Sequence, residues 1–103
     1  MSNIRGANMT KSDILHFLNE KKSFLKEQYH IDDIGLFGSY ARDEATQESD
    51  IDIVIVTSVK SFSNRYNLKK YLEDAFKKPV DIGYYDSLRT FIKKEIEKEI
   101  IYV

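Results

Sequence analysis

The sequence predicts an α/β protein with a small mixed β-sheet and flanking helices. Two apolar runs, residues 51–57 and residues 79–84, have the length and composition of β-strands. Apolar residues also recur at helical spacing before, between and after these runs. With a further short strand near residue 35, the expected order of elements is α-β-α-β-α-β-α.

Composition indicates one ordinary globular domain. The chain has 103 residues, of which 42% are apolar and 32% charged, and its mean hydropathy is −0.47. The net charge is −1, so no basic field favours nucleic acid, and we expect no direct nucleic-acid binding. There is no cysteine, which excludes disulfides, thiolate metal sites and cysteine nucleophiles.

The chain also lacks sequence signals for membrane insertion or secretion. No apolar run approaches the roughly 20 residues of a membrane-spanning helix. Residues 1–8 contain no apolar core of a signal peptide. We therefore expect a cytoplasmic protein with a flexible tail over residues 1–9 and a single domain over residues 10–103.

The first half of the chain predicts a helix, a strand and a short second helix. Thr10 and Asp13 have the spacing of a capping box, and helical periodicity follows over residues 11–29. Residues 31–37 form an expected strand, and residues 39–43 an expected short helix.

The second half predicts two strands, each followed by a helix. The run 51–57 is apolar on both faces beyond its second residue, which is typical of a central strand. Ser63 is a candidate cap for the helix that follows. The next strand covers residues 79–84 and has its proline at the start, where proline is tolerated. Asp86 or Ser87 is expected to open a last helix. Its apolar stripe contains Leu88, Ile92, Ile96 and Ile100.

A glycine-serine pair follows the first predicted strand. Gly38 and Ser39 open a predicted helix, where free backbone N–H groups favour an anion such as phosphate. Ser39 has an alternative role as a simple N-cap. The two roles are compatible, because an N-cap lies beside the same free N–H groups.

Two carboxylates lie one residue apart at the start of the central strand. Residues i and i+2 of a strand point to the same face, so Asp50 and Asp52 converge on one side. Carboxylate oxygens are preferred ligands of hard divalent cations. A lone Asp-x-Asp is more often a solvated turn. The preceding Gly38-Ser39 and the apolar run that follows favour a functional site.

A third carboxylate belongs to the next strand. Val80 and Ile82 share one face, so Asp81 points to the other. If this strand pairs with the central one, Asp81 joins Asp50 and Asp52. The alternative is a solvated aspartate on an edge strand.

Other polar residues look structural. His16 and His30 have no partner at the spacing of metal ligands, which indicates surface or packing positions. The mixed charges of residues 93–99 are typical of a solvated helix face.

These motifs resemble those of a known family. Gly38-Ser39-Tyr40-Ala41-Arg42, Ser49-Asp50-Ile51-Asp52 and Val80-Asp81-Ile82 closely resemble the DNA polymerase β-like nucleotidyltransferase superfamily. Size and the Gly-Ser-x-Ala-Arg form are similar to the minimal nucleotidyltransferases (MNT), the antitoxins of HEPN–MNT toxin–antitoxin pairs. The resemblance covers the chain from about Thr10 to its end and implies the polymerase β-like fold.

The resemblance implies a role for each motif residue. Gly38 and Ser39 would hold the β- and γ-phosphates of a nucleoside triphosphate. Asp50 and Asp52 would bind two Mg²⁺ ions, and Asp81 would complete the metal site and help to deprotonate the acceptor.

Arg42 would neutralise phosphate charge, although a surface salt bridge with Asp43 or Glu44 is an equally good interpretation. The implied reaction is the transfer of AMP from ATP to a hydroxyl, expected to be a tyrosine, of a HEPN ribonuclease toxin.

Two other functions remain open. One is an antitoxin that acts by binding alone, which the three clustered carboxylates disfavour because a pure binder has no use for them. A transferase for small molecules is the other. It is disfavoured because larger relatives carry a second domain for the acceptor, and this sequence ends after its fourth predicted helix. We expect a partner protein to bring the acceptor.

Overall fold

The computed structural model describes residues 9–88 and 90–103, without the side chains of residues 90–93. The predicted tail, residues 1–9, lies outside this range except for Met9. None of the described helices is both long and apolar enough to cross a membrane. The elements in chain order are α1 (Lys11–Glu20), α2 (Lys22–Tyr29), β1 (Asp33–Phe37), α3 (Gly38–Ala41), β2 (Ile51–Val56), α4 (Phe62–Phe76), β3 (Val80–Tyr84), a 3₁₀ turn (Tyr85–Ser87), α5 (Thr90–Glu97) and β4 (Ile101–Tyr102).

The four strands form one mixed sheet in the order β3-β2-β1-β4. β1 is antiparallel to both β2 and β4, while β2 and β3 are parallel and joined through α4. β2 therefore lies inside the sheet, and the prediction of a small mixed sheet with flanking helices and a central strand here is confirmed.

One face of the sheet carries the main core. Alternate residues of β2 (Ile51, Ile53 and Ile55) are buried in the same cluster as residues of α1, α2 and α4. This burial, at roughly 25 cal/mol per Å² of apolar surface, is the main stabilising term that holds the helices on the sheet. The helical members of the cluster are Ile14, Leu18, Leu25, Tyr29, Leu68, Leu72 and Phe76.

The first predicted helix is two helices. The capping box is present: the Thr10 hydroxyl accepts the Asp13 N–H at 3.1 Å, and Asp13 accepts the Thr10 N–H at 3.0 Å. The helix then ends at Lys21, whose φ of −98° and ψ of 7° are not helical. Residues 19–23 contain no apolar side chain that would hold a continuous helix against the core. The prediction of one helix over residues 11–29 was wrong in this respect.

Further boundaries differ from the prediction, including α3, which covers Gly38–Ala41 rather than residues 39–43. β1 begins at Asp33 rather than residue 31. α4 is capped by Ser61 and not by Ser63, because the Ser61 hydroxyl accepts the Asn64 N–H at 3.2 Å. Residues 85–87 form the 3₁₀ turn, so neither Asp86 nor Ser87 opens α5, which starts at Thr90.

The last strand, β4, was not predicted. Ile100 was expected to lie on the apolar stripe of the last helix, but α5 ends at Glu97. Gly35 pairs with Tyr102 and Leu36 with Ile101, so the chain returns along the edge of β1. This pairing places the turn between α5 and β4 beside the end of β1.

Candidate functional site

The site is built where β1 passes into α3. Gly38 has a φ of +78°, a left-handed conformation that side chains with a Cβ rarely adopt. A Cβ placed on Gly38 would lie 2.1 Å from Oδ2 of Asp52. Glycine is thus required both by its backbone conformation and by the carboxylate that occupies the adjacent space.

Ser39 lies inside this short helix. Phe37 is the residue at the N-cap position, and no side chain caps the helix by a hydrogen bond. The alternative interpretation of Ser39 as a plain N-cap was therefore wrong. Its backbone carbonyl accepts the Glu44 N–H at 2.8 Å, which fixes the chain that leaves α3.

The structure brings together the carboxylates of two neighbouring strands. Asp52 on β2 is paired in register with Asp81 on β3. Side chains in register on parallel strands point to the same face, which here is the face opposite Ile51 and Ile53. Asp50 precedes β2 by one residue and is exposed. The expected pairing of the third strand with the central one is confirmed.

The pKa of Asp52 reflects its burial and the neighbouring carboxylates. Its pKa is raised from 3.8 to about 6, first because the carboxyl is partly buried, and then because Asp81 and Asp50 repel its charge. Arg42 opposes the shift and Glu99 adds to it. Negative charge is therefore concentrated at this end of the sheet beyond what the nearby arginine neutralises.

The three carboxylates have the chemistry of a divalent-cation site. Oxygen ligands from Asp50, Asp52 and Asp81 suit Mg²⁺, and a cation here would offset the charges of Asp81 and Asp50, which contribute after burial to the raised pKa of Asp52. Among the side chains that the structure describes, however, no three acidic or histidine groups are already close enough to form a metal site. The donor set fits the ion in type, although these three described carboxylates do not form a metal site as they stand.

Arg42 and Glu99 complete the surroundings of Gly38. Glu99 accepts the Gly38 N–H through Oε2 at 3.0 Å, and its two oxygens lie 3.2 Å from Nη1 of Arg42. Arg42 also donates from Nε to Glu44 at 2.9 Å. The hydrogen bonds to Glu44 and then to Glu99 raise the pKa of Arg42.

These contacts agree with one interpretation made from the sequence and correct another. The salt bridge between Arg42 and Glu44, one of the two interpretations of Arg42, is present. Glu99 was placed on a solvated helix face, yet its side chain is only 22% exposed and bonds to two groups of the site. The sequence offered no signal for Glu99, because its position depends on the unpredicted β4.

The histidines lie where the sequence indicated. His16 and His30 are exposed, and His16 Nε2 lies 3.3 Å from Glu20 one helical turn later. A mostly apolar cleft of about 630 Å³ lies between α1 and the end of α4, away from the carboxylates. Asp13 and Glu20 line this cleft, where Asp13 is engaged in the capping box and Glu20 is the partner of His16.

Comparison with known proteins identifies the family. The model of the nucleotidyltransferase domain matches residues 18–103, which include every residue of the site. The chain belongs to the nucleotidyltransferase domain family. The recognition made from Gly38-Ser39 and the Asp-x-Asp pair is thereby confirmed, and the protein is an enzyme of the nucleotidyltransferase type.

Relatives of this nucleotidyltransferase are named as protein adenylyltransferases. The protein adenylyltransferase MntA of Thermococcus cleftensis is 35% identical over 98 residues, which are 94% of this chain and 99% of the relative. A Methanocaldococcus jannaschii protein named provisionally as a protein adenylyltransferase is 42% identical over 98 residues, covering 91% of this chain and 98% of its own.

Solved structures share the fold of the nucleotidyltransferase. One described provisionally as a minimal nucleotidyltransferase has a TM-score of 0.77 at 22% identity, over 92% of this chain and 97% of that one. A chain from the complex of tri-AMPylated Shewanella oneidensis HEPN toxin with MNT antitoxin has a TM-score of 0.61 at 22% identity. The match covers 84% of this chain and 69% of that one. A chain from a toxin–antitoxin structure with AMP-PNP has a TM-score of 0.68 at 24% identity, and the match covers 82% of this chain and 69% of that one.

Proposed function

We propose that this nucleotidyltransferase is an antitoxin that transfers AMP from ATP, with Mg²⁺, to a tyrosine hydroxyl of a HEPN ribonuclease toxin. One observation carries the proposal. The glycine turn after β1 lies directly against Asp52, and Asp52 is in register with Asp81, so phosphate donors and carboxylates meet at one end of the sheet. Relatives that are 35–42% identical and named as protein adenylyltransferases support the reaction class.

In this proposal the turn binds the nucleotide. The backbone N–H groups of Gly38 and Ser39 hold the β- and γ-phosphates, because N–H groups at the start of a helix favour anions. The absence of a Cβ at Gly38 permits the close approach of phosphate to the backbone. Arg42 adds positive charge through its guanidinium, which is 45% exposed and can turn toward a bound triphosphate.

The carboxylates are assigned to metal binding and proton transfer. Asp50, Asp52 and Asp81 would hold two Mg²⁺ ions, which would supply positive charge to the leaving pyrophosphate and to the attacking oxygen. Asp81 takes the proton of the acceptor hydroxyl. The acceptor oxygen then forms a bond to the α-phosphorus. The bond from that phosphorus to the bridging oxygen breaks, and pyrophosphate leaves with the electron pair.

The acceptor approaches from the side of β3. Asp81 is exposed, and a Cβ placed on Gly83 would meet no described atom within 4 Å. An acceptor tyrosine of a second protein has room to reach this surface. We place the whole activity in one domain, residues 10–103, acting in the cytoplasm on a HEPN toxin like the one in the solved HEPN–MNT complex.

Intact-mass spectrometry of the co-expressed toxin tests the proposal. With the wild-type protein we expect the toxin to gain mass in steps of one AMP. With Asp50→Asn/Asp52→Asn we expect an unmodified and active toxin. If the toxin stays unmodified and is neutralised equally by both versions, the transferase assignment fails and the chain is an antitoxin that acts by binding alone.

A further inference from the structure

Glu99 reaches Gly38 because of the pairing between β1 and β4. Leu36 is opposite Ile101 in this antiparallel pair. Continuing the register by two residues beyond each places Glu99 opposite Gly38. At this position no strand continues, and the Gly38 N–H donates to the Glu99 carboxylate at 3.0 Å instead of to a backbone carbonyl.

The same carboxylate also holds Arg42. Both of its oxygens lie 3.2 Å from Nη1 of Arg42, and the Glu99 side chain is only 22% exposed. Hydrogen bonds from a backbone N–H and a guanidinium to an anion are the strong class of such bonds. One internal anion thus satisfies two of the donors that the proposed function assigns to the phosphates of ATP.

We propose that Glu99 is an internal competitor for the nucleotide. Its carboxylate occupies the Gly38 N–H and the Arg42 guanidinium in the free enzyme and leaves them when the triphosphate binds. Glu99 thereby sets the affinity for ATP. This inference rests on the proposed function, because it requires that the phosphates use these two donors.

Displacement of Glu99 is favoured by charge and by the weak attachment of its segment. A triphosphate beside an ionised carboxylate would be repelled, so the two anions exclude one another from the same donors. Glu99 lies in the turn before β4, which has only two residues and lies at the edge of the sheet. Short edge segments open at low free-energy cost compared with the central strands.

Competition of this kind reduces the apparent affinity to the intrinsic affinity multiplied by the fraction of free enzyme in which Glu99 is displaced. If about 10–30% of the free enzyme has Glu99 displaced, removing the competitor tightens nucleotide binding roughly 3- to 10-fold. The substitution Glu99→Gln is suited to the test. It removes the charge while keeping the size of the side chain and an oxygen that accepts hydrogen bonds.

Calorimetric titration with Mg²⁺ and AMP-PNP compares wild type, Glu99→Gln and Glu44→Gln. Glu44 also binds Arg42 but does not contact Gly38 among the described hydrogen bonds, so Glu44→Gln controls for loss of one negative charge beside the arginine. We expect the tighter binding in Glu99→Gln and a smaller change in Glu44→Gln. Titration with AMP should show no gain in Glu99→Gln, since AMP has no β- or γ-phosphate.

Amide hydrogen exchange at Gly38 gives a second measurement without nucleotide. We expect slower exchange in wild type than in Glu99→Gln, because a charged carboxylate binds the N–H more strongly. If Glu99→Gln binds AMP-PNP no more tightly than wild type does, Glu99 is not a competitor for the nucleotide, while the proposed function remains intact. Equal exchange at Gly38 would overturn the competitor role as well. Failure of all three proteins to bind AMP-PNP would instead refute the proposed function and this inference with it.

Discussion

Gly38 and Asp52 share one small space, in which Oδ2 of Asp52 lies 2.1 Å from the position that a Cβ on Gly38 would take. β1 and β2 create this relationship, because Phe37 is the register partner of Asp52 and Gly38 follows it. The turn that offers N–H groups therefore lies directly against the carboxylate that carries the raised pKa. A substitution at one of these residues should therefore change the effect on stability of a substitution at the other.

Gly38→Ala should destabilise the protein. Both the positive φ and the contact with Asp52 oppose a Cβ, and strain of this kind costs about 1–3 kcal/mol. Gly83→Ala is the matched control. Its Cβ would meet no described atom within 4 Å, so we expect a change within about 0.5 kcal/mol. Urea unfolding of both variants measures the difference.

A double substitution separates the two causes. In an Asp52→Ala background the colliding oxygen is absent and only the backbone strain at Gly38 remains. Gly38→Ala should therefore cost less there than in wild type. An equal cost in both backgrounds would mean that Asp52 simply turns away from the added methyl group.

Asp52→Asn should stabilise the metal-free protein at neutral pH. Because folding raises the pKa of Asp52 from 3.8 to about 6, the folded state binds the proton more tightly. The contribution of this group to stability is therefore present below about pH 4 and is lost as pH rises toward 6. Asn has no proton to lose and stays uncharged, so we expect the Asp52→Asn variant to be more stable than wild type by about 1 kcal/mol at pH 7, after allowance for solvent screening of a half-exposed group.

Urea unfolding of wild type and Asp52→Asn between pH 4 and pH 7 checks this sign. The difference should be near zero at pH 4 and should grow to its full value above pH 6. Asp32→Asn, at an exposed aspartate near the other end of β1, is the control substitution. A variant that is less stable than wild type at pH 7 would contradict the repulsion among Asp50, Asp52 and Asp81.

The carboxylates of the site could be predicted from the sequence because their relative positions follow from local strand geometry. The i and i+2 positions of a strand share a face, which relates Asp50 to Asp52. Asp81 needed one additional assumption, that β3 pairs beside β2, and the parallel crossover through α4 makes this the usual arrangement. The turn at Gly38 was identified by its residue types alone.

The role of Glu99 could not be predicted from the sequence, because its contacts depend on tertiary pairing rather than on local geometry. Its contacts with Gly38 and Arg42 arise from the register of β4, which has two residues in the apolar run 100–103. Such a short run can continue the helical stripe of Ile96 or form a strand, and only tertiary pairing decides between them. The break at Lys21 is similar, since it is set by which side chains the core can bury.

Asp81→Asn should separate nucleotide binding from transfer. If Asp81 takes the proton of the acceptor, its loss lowers the rate of AMP transfer by roughly 10²–10⁴-fold. Affinity for Mg²⁺ and AMP-PNP should remain substantial, whereas Gly38→Ala should weaken that affinity directly. Single-turnover transfer and calorimetric titration measure the two properties. Asp86→Asn is the control, because Asp86 is exposed and binds Lys60 away from the site.

Equal losses of affinity in Asp81→Asn and Gly38→Ala would show that Asp81 serves nucleotide binding rather than proton transfer. Full transfer by Asp81→Asn would remove it from the mechanism altogether.

Transfer should depend strongly on a bound partner. The exposed Asp81 and the open surface over Gly83 give the acceptor access, but no described atom lies within 4 Å of a Cβ placed on Gly83 to orient a small molecule. Orientation of two reactants is worth up to roughly 7–11 kcal/mol in well-aligned systems. If a protein partner supplies it, transfer to free tyrosine, RNA or aminoglycosides should be slow or undetectable beside transfer to the toxin. Radiolabelled ATP with each acceptor measures the comparison, and efficient labelling of an aminoglycoside would assign the site to small molecules instead.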